Sequence, residues 1–480
     1  MDNRRLPLLL LISGVLTTFV ITRNDPFFGD SVSSIARAAE TIFSSKFQHI
    51  RFPEGMDPGH PTTMALIHST FWAILGKSIW VSHFLHWLIS IGVLVQFIRL
   101  AKHENIPNAN WGAFLLLITP LYLSQSVNPN LHMGLTLGVL SVLLNLRKAN
   151  FTRASVWTGV MMITHLQALF LVIPLWLWWM FTDRGKSTKD RFTVALKSAL
   201  IPALMFGGWL LYHYSITGWW MSSPDYSGHR GIPGAKRIVT NLIVSDWRIV
   251  DYGQLSLFIL PFLLLFRCRL KLTTNHPFTW FLVLYLFNAI AISVTTKTGP
   301  MHRYFLPVLP LLIMGNLQWI SQASKWLRIV VVLILVSGHF WFYPGKVMGD
   351  ATLSYRSVFP LLHEVQTDVD TSVHTYAPLN NSSYTTVLNG PTDDFQSLYG
   401  DNIENVSHVI YSNISGDFTT SELKVLETWL VKTYQRGYVF VELYSNPAKV
   451  SDPPTGPRRK ISNYELWFIK LKRKLKGDST

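Results

Sequence analysis

Residues 61–99 read PTTMALIHSTFWAILGKSIWVSHFLHWLISIGVLVQFIR, two apolar runs joined by a short polar turn. The second run, 79–99, is long and apolar enough for a helix that crosses a membrane, which takes about 20 residues. The first run, 61–77, is also apolar and begins with Pro61, a residue suited to the first turn of a helix. Whether this first run also crosses the membrane decides on which side every later loop lies.

The distribution of Lys and Arg decides between the two topologies, because cytoplasmic loops carry an excess of these residues. The basic segments that follow are 99–104, 147–153, 183–191 and 267–271. All four would lie outside if 61–77 crossed the membrane. All four lie inside, together with the N-terminal Arg4 and Arg5, if 61–77 rests flat on the surface. The sequence therefore predicts that 61–77 is an interfacial helix.

The composition of the whole chain agrees with a membrane protein. Of its 480 residues, 49% are hydrophobic and only 14% are charged, whereas soluble domains are about one quarter charged. The net charge of +15 lies mainly in the short loops between apolar runs. It is therefore explained by membrane topology, and no nucleic-acid partner is expected.

The apolar runs predict a mainly α, polytopic membrane protein of about eleven transmembrane helices, with the N-terminus in the cytoplasm and the C-terminus outside. The predicted spans are 6–22, 79–99, 111–126, 131–146, 154–165, 166–181, 198–215, 252–266, 277–294, 304–319 and 326–343. The first run has no small-residue cleavage site after it, so it is predicted to stay as a helix. The short pair 154–165 and 166–181 has the lengths of a broken or tilted hairpin.

Two regions are predicted to lie outside the membrane. Residues 23–78 form a long first external loop with interfacial helices, within a transmembrane domain of residues 1–343. Residues 344–480 are more polar and form a small extracytoplasmic α/β domain. Its predicted strands are 406–411 and 438–443, with a helix over 419–436 between them.

Asp30 is the first candidate for chemistry. It lies in Phe28-Gly-Asp-Ser, just beyond the outer end of the first span, and a helical pattern follows it. A carboxylate at the boundary between water and lipid is well placed to accept a proton from a hydroxyl group, as a general base must. The alternative is a helix N-cap, which is a routine place for Asp; the two roles are compatible.

Other polar residues fall at the predicted outer ends of spans. His60 and Asp57 lie in the turn 54–61, Asn130 lies in Asn128-Pro-Asn-Leu-His, and His165 lies within an apolar stretch. Each has a structural alternative: a turn residue for Asp57, a loop residue for His60 and Asn130. An ionisable residue in an apolar stretch, such as His165, usually faces a cavity or a partner.

The segment 295–310 reads TTKTGPMHRYFLPVLP and is predicted to enter a span from outside. Lys297, His302, Arg303 and Tyr304 lie in it. Arg is the preferred planar partner of phosphate, so Arg303 is the best candidate to hold a lipid phosphate. The alternative is a charge that sets topology, but that role favours the cytoplasmic side.

In this order, these motifs resemble the type-C superfamily of integral membrane glycosyltransferases, and most nearly its lipid A aminoarabinose transferase and protein O-mannosyltransferase branch. The matching features are an acidic residue after the first span, Gly59-His60-Pro61, a loop ending in Pro129-Asn130, and Arg303-Tyr304 followed by Leu306-Pro307 and Leu309-Pro310. The resemblance covers about the first 320 residues.

The resemblance implies transfer of a sugar from a polyprenyl-phosphate donor to a hydroxyl-bearing lipid, glycan or protein outside the membrane, with inversion at the anomeric carbon. Asp30 would be the catalytic base. Arg303, with Lys297, His302 and Tyr304, would bind the donor phosphate. The residues expected to position substrate are His60, Asp57, Asn130 and His165.

The chain departs from the family pattern at acidic positions. Ser31 stands where a second acidic residue is common, Thr62 replaces a proline, and Asn130 replaces an aspartate. Because divalent ions need several oxygen ligands, neither a metal nor another cofactor is expected. The missing acidic residues are also compatible with a member of this family that has lost its transferase activity.

Two other classes remain open from the residues alone. One is a lipid or small-solute transporter or flippase, whose sign would be repeated halves and charges within several spans. The other is a non-catalytic membrane assembly factor that binds through its external domain. The single Cys268 and the compact loops favour a bacterial inner membrane.

Overall fold

The computed structural model describes residues 5–28, 31–53, 57–182, 185, 187–221, 223, 230–259, 273–274, 276–320, 324–343, 350–369, 375–376, 407–413, 429–453 and 455–458. The chain divides into two compact units: residues 1–24 with 34–339, and residues 25–33 with 340–480. The sequence placed this division at 343/344 and assigned 25–33 to the first external loop. The segment joins the second unit because the side chains of Asp25 and Phe28 contact Arg356 and Tyr355 there.

The first unit is a bundle of helices. They are α1 Arg5–Thr22, α2 Arg37–Ser44, α3 Thr63–Leu75, α4 Ile79–His103, α5 Ala109–Ile118, α6 Pro120–Val127, α7 Leu131–Arg147, α8 Phe151–Met162, α9 Ala168–Thr182, α10 Thr188–Thr217, α11 Ala235–Val250, α12 Pro277–Thr295, α13 Leu309–Ile320 and α14 Lys325–Ser337. A π-helical turn, Val32–Ala36, precedes α2, and a 3₁₀ turn, His302–Phe305, precedes α13.

The protein is a mainly α, multi-pass membrane protein. Among the described residues, α4, α10 and α12 are each long and apolar enough to cross a membrane, and the pair α6–α7, bent by 115°, is a candidate for a fourth, broken span. Helices α1, α3, α5 and α9 are apolar but shorter. Residues 260–266 of the predicted span 252–266 lie outside the described residues.

Helix α3 contains most of the run that was predicted to be interfacial. Its 13 residues extend over about 20 Å at 1.5 Å per residue, which is less than the roughly 30 Å of a hydrocarbon core. It packs against α2, where the Ser69 hydroxyl donates a hydrogen bond to the Ala39 carbonyl oxygen at 2.7 Å. The length and the packing agree with a helix that rests on the membrane surface.

Several helices differ from the predicted spans. The run 111–126 is broken at Thr119, because Pro120 has no N–H and begins a new helix, α6. Helix α10 begins at Thr188, ten residues before the predicted 198, because Ser187 caps it by accepting a hydrogen bond from the Asp190 N–H. Helix α13 begins only at Leu309, after the 3₁₀ turn. Helix α11 was not predicted, because its charged residues interrupt the apolar pattern.

The second unit is a small α/β fold. Helix α15, Val358–Asp368, packs on a sheet whose described strands are β1 Thr375–Tyr376, β2 His408–Ser412, β3 Leu430–Arg436 and β4 Val439–Ser445. The strand order is β1-β2-β4-β3; β1 and β2 are parallel, and the other pairs are antiparallel. Leu361 and Val365 of α15 are buried against Val441 and Leu443 of β4.

The prediction of a helix over 419–436 was wrong for its last seven residues, which form β3. Val431, Thr433 and Tyr434 favour a strand, and the turn at Gly437, where φ is +62°, pairs β3 with β4 as a hairpin. Residues 419–428 of the predicted helix lie outside the described residues. The predicted strands 406–411 and 438–443 correspond to β2 and β4.

Candidate active site

The polar residues of interest lie where helices of the first unit begin or end. The segments concerned are 57–62 before α3, 128–130 between α6 and α7, 163–167 between α8 and α9, 230–234 before α11, and 296–305 after α12. The predicted topology places all five on the outer side. The fold therefore collects the candidate residues at one end of the bundle.

His60 is held by a tight turn. Gly59 has φ of +73°, and a Cβ atom at this position would lie 2.5 Å from the Met221 carbonyl oxygen. The Asp57 carboxylate accepts a hydrogen bond from the Gly59 N–H at 2.7 Å and lies 3.1 Å from Nε2 of His213. Asp57 thus anchors the turn that presents His60, and its carboxylate contacts His213 at the end of α10.

The His60 imidazole packs between an aromatic ring and a cation. Its ring stacks on that of His165 with centroids 4.2 Å apart, and its Nε2 lies 3.1 Å from Nη2 of Arg230. Burial, followed by the nearby His165, Arg230, His132 and Arg303, holds the pKa of His60 well below 6.5. His60 is therefore a neutral imidazole at physiological pH.

A column of rings continues inward from His60. The His132 ring lies 4.7 Å from His165 and 5.5 Å from Tyr304, measured between centroids. The Arg303 guanidinium carbon lies 5.5 Å from the centre of the Tyr304 ring. Arg230 and Arg303 thus contact the two end rings of a row of four neighbouring rings, which we call the ring column: His60, His165, His132 and Tyr304.

The backbone of the ring column is fixed by side-chain amides. Gln167 Nε2 donates to the Tyr304 carbonyl oxygen at 2.6 Å and to Asn288 Oδ1 at 2.8 Å. Asn288 Nδ2 donates to the same carbonyl oxygen at 2.9 Å. Gln167, which lies just before α9, and Asn288 of α12 therefore hold the Tyr304 backbone within the 302–305 turn.

Arg230 and Lys297 come together through a backbone contact. Residue 230 forms an antiparallel bridge with Thr296, and the Gly231 N–H donates to the Thr295 carbonyl oxygen at 3.1 Å. Gly231 has φ of +121°, and a Cβ there would lie 3.2 Å from Cε of Lys297. Arg230, which contacts His60, and Lys297 therefore lie on neighbouring backbone segments.

His302 does not join the ring column, although it is next to Arg303 in sequence. Its side chain is 1% exposed, and its Nε2 lies 2.9 Å from Oδ2 of Asp251 and 3.4 Å from Nη1 of Arg248. This contact fixes the 302–305 turn against α11. The structure thus places the His302 side chain against Arg248 and Asp251 at the end of α11.

Asn130 is the N-cap of α7. Its Oδ1 accepts a hydrogen bond from the Met133 N–H at 2.9 Å, and its Nδ2 donates to the carbonyl oxygens of Gln125 and Asn128. These bonds stabilise the sharp bend between α6 and α7. The bend also places His132, two residues further on, in the ring column.

Asp30 lies outside the described residues. The helical pattern predicted after it is confirmed: residues 31–44 are helical, and Ile35, Ala36, Ala39 and Ile42 are buried. The part of the chain that the structure describes contains no group of three or more His, Cys, Asp or Glu side chains arranged to hold a metal ion.

Sequence reasoning missed Arg230, His132, Gln167 and Asn288. Arg230 carried the same signal as Arg303, a positive charge in a predicted external loop. His132 stood in the quoted segment 128–132 but was not singled out. Gln167 and Asn288 had no local signal. Both donate to the Tyr304 carbonyl oxygen, which lies 137 residues from Gln167 and 16 residues from Asn288 in the sequence.

No protein-family model and no curated protein sequence matches the chain. Solved structures with a similar fold include ArnT from Cupriavidus metallidurans bound to undecaprenyl phosphate, with a TM-score of 0.54 and 12% identity. The apo state of the same enzyme gives a TM-score of 0.50. Each comparison covers 94% of this chain and 99% of the other. The chain therefore has the fold of the type-C integral membrane glycosyltransferases.

Proposed function

We propose that the protein transfers a sugar from a polyprenyl-phosphate donor to a hydroxyl-bearing lipid, glycan or protein at the outer face of a bacterial inner membrane. The observation that carries the proposal is the convergence of Arg230 and Arg303 on the ring column. The similarly folded ArnT was solved with undecaprenyl phosphate, a ligand of the same class.

The two guanidinium groups suit a lipid-linked phosphate. Arg presents several N–H donors in a plane that matches phosphate oxygens, and it stays charged when it is partly buried. Lys297 adds a third positive charge near Arg230. Charge that develops on the phosphate as the sugar leaves is stabilised most by donors that are already in place.

The proposed reaction is a single displacement. The acceptor hydroxyl oxygen attacks the anomeric carbon, the bond between that carbon and the phosphate oxygen breaks, and polyprenyl phosphate leaves with the electron pair. Asp30 takes the proton of the acceptor hydroxyl. Attack on the face opposite the leaving group inverts the anomeric configuration. The arginine charges serve the leaving phosphate, so no metal ion is included in the proposal.

The experiment that tests the proposal uses full-length protein in liposomes with a panel of radiolabelled polyprenyl-phosphate sugars and a mixture of hydroxyl acceptors. The wild-type protein should release polyprenyl phosphate and transfer label. Asp30→Asn and Arg230→Gln should each lose activity by about a hundredfold or more, since one removed general base or one removed electrostatic donor costs roughly that much. Arg153→Gln, an exposed arginine in the first turn of α8, is the matched control and should remain active.

The same liposomes separate the rival classes. A flippase would move the labelled lipid across the membrane without breaking the sugar–phosphate bond. An assembly factor would do neither. If lipid moves while the bond stays intact, or if Asp30→Asn transfers sugar at the wild-type rate, the proposed reaction or the role of Asp30 is wrong.

A further inference from the structure

The proton positions on His60 and His165 follow from their neighbours. Nε2 of His60 lies 3.1 Å from Nη2 of Arg230. A guanidinium nitrogen only donates, so Nε2 of His60 must accept. A neutral imidazole has one accepting and one protonated nitrogen, so the proton of His60 is on Nδ1.

His165 is fixed in the opposite tautomer. The backbone N–H of Gln167 donates to Nδ1 of His165 at 3.0 Å. Nδ1 is therefore the acceptor, and the proton of neutral His165 is on Nε2. The two rings stack with centroids 4.2 Å apart, so the pair carries one N–H on each ring.

The N–H of His60 has no acceptor among the described residues. Its Nδ1 is buried and makes no hydrogen bond there. A buried donor without an acceptor is costly, and buried polar groups are rarely left in that state. A ligand oxygen is the natural acceptor at this position, because the positive charges of Arg230 and Arg303 both lie near the His60 ring and, in addition to burial, lower its pKa.

We infer that His60 and His165 are a pair of neutral hydrogen-bond donors that bind a phosphoryl oxygen of a lipid-linked phosphate, with Arg230 holding His60 in the donating tautomer. The inference rests on the proposed function and adds to it a role for each ring nitrogen. Neutral donors bind a phosphate oxygen without adding positive charge between two guanidinium groups. They also allow the product phosphate to leave more readily than two further cations would.

Asn and Gln substitutions test the assignment, because each reproduces one nitrogen of the imidazole. An Asn amide nitrogen lies near the place of Nδ1, and a Gln amide nitrogen lies near the place of Nε2. His60→Asn should therefore keep the donor, whereas His60→Gln should lose it. For His165 the order is reversed: His165→Gln keeps the donor, and His165→Asn loses it. A role in packing alone would rank the two substitutions alike at both positions.

Binding of sugar-free undecaprenyl phosphate to the full-length protein in detergent is the first measurement, with inorganic phosphate as the second ligand. His60→Gln and His165→Asn should each weaken binding of the lipid about tenfold, which corresponds to about 1.4 kcal/mol. Their Asn and Gln counterparts should stay within about threefold of the wild type. Inorganic phosphate should bind far more weakly, because it lacks the lipid chain; equal affinity would assign the site to free phosphate and overturn the lipid ligand.

The outcomes separate the inference from the proposed function. If the wild type binds the lipid but the two substitutions at each position have equal effects, the donor pair is wrong and the proposed function stands. If the wild type does not bind any polyprenyl phosphate, the proposed function fails together with the ligand assigned to the pair. Nitrogen NMR of ¹⁵N-histidine-labelled protein, with His60 assigned by its substitution, tests the tautomer directly: a proton on Nε2 of His60 would overturn it.

Discussion

Arg230 makes two contacts that a single point charge cannot reproduce. Its Nη2 faces His60, while its Nη1 donates to the Met221 carbonyl oxygen at 3.0 Å. Lys has one ammonium group, so Arg230→Lys keeps the charge but loses one of the two contacts. We expect this substitution to weaken binding of undecaprenyl phosphate about tenfold, measured by titration in detergent. Arg153→Lys, at an exposed position in the first turn of α8, is the control; equal affinities for the two variants would show that only charge matters at position 230.

The pKa of His60 leads to a prediction about stability and pH. The unfolded chain takes up a proton at His60 near pH 6.5, whereas the folded protein resists it because of burial and the facing His165, Arg230, His132 and Arg303. Below pH 6.5 the unfolded state binds more protons. The free energy of unfolding therefore falls as the pH falls, by at most about 1.4 kcal/mol per pH unit for this group.

His60→Asn removes this group without removing the site. The wild type should exceed the variant in melting temperature by more at pH 7.5 than at pH 5, measured by thermal unfolding in detergent. A difference that is the same at both values would show that His60 titrates normally in the folded protein.

At the level of elements, the turn before α3 determines where His60 lies. Gly59 combines φ of +73° with a carbonyl oxygen 2.5 Å from where a Cβ would be, whereas Gly76, after α3, has φ of +91° and open space around it. Gly76→Ala should therefore cost only the strain of its backbone, whose φ of +91° and ψ of +143° are typical of glycine, about 1–3 kcal/mol. Gly59→Ala should cost about 1–3 kcal/mol more, because the backbone must shift.

The shift should also move His60 away from Arg230. We therefore expect Gly59→Ala to lose most binding of undecaprenyl phosphate, while Gly76→Ala keeps it at the same protein concentration and detergent. Thermal unfolding measures the loss of stability, and titration measures the loss of affinity for undecaprenyl phosphate. Two variants with equal stability and equal binding would contradict the tight contact between Gly59 and Met221.

The sequence predicted those elements whose signal is local. A long apolar run gives α4 and α12, and a positive charge in an external loop marks Arg303. The sequence did not show that the chain bends sharply at Asn130, because the bend depends on hydrogen bonds from the Asn130 side chain to the carbonyl oxygens of Gln125 and Asn128. That bend places His132 in the ring column. The sequence predicted the junction between two spans at this place but not its sharp bend, and His132 was missed as a site residue for that reason. Strand β3 was mistaken for a helix because Leu423, Leu426 and Leu430 share a helical spacing, and pairing with β4 overrides it from Leu430 onward.

At the scale of the whole molecule, the site and the membrane topology depend on each other. The five segments that form the candidate site belong to loops that share one side of the membrane only if α3 does not cross it. If α3 crossed, residues 57–62 would lie on one side, and 128–130, 163–167, 230–234 and 296–305 on the other. The stacking of His60 on His165 therefore supports the topology that the basic loops predicted.

Labelling of single cysteines tests this topology on whole cells. Cys268 is the only cysteine, so Cys268→Ser gives a background without thiols, into which Gln48→Cys, Lys148→Cys or Ile232→Cys is introduced at an exposed position. With α3 on the surface, a membrane-impermeant maleimide should label positions 48 and 232 but reach 148 only after the cells are permeabilised. If α3 spans the membrane, position 148 should be labelled in intact cells and position 232 only after permeabilisation. Position 48 should be labelled in intact cells in either case, so Gln48→Cys is the internal control. Labelling of 148 in intact cells would therefore place α3 across the membrane and contradict the arrangement that brings His60 to Arg230.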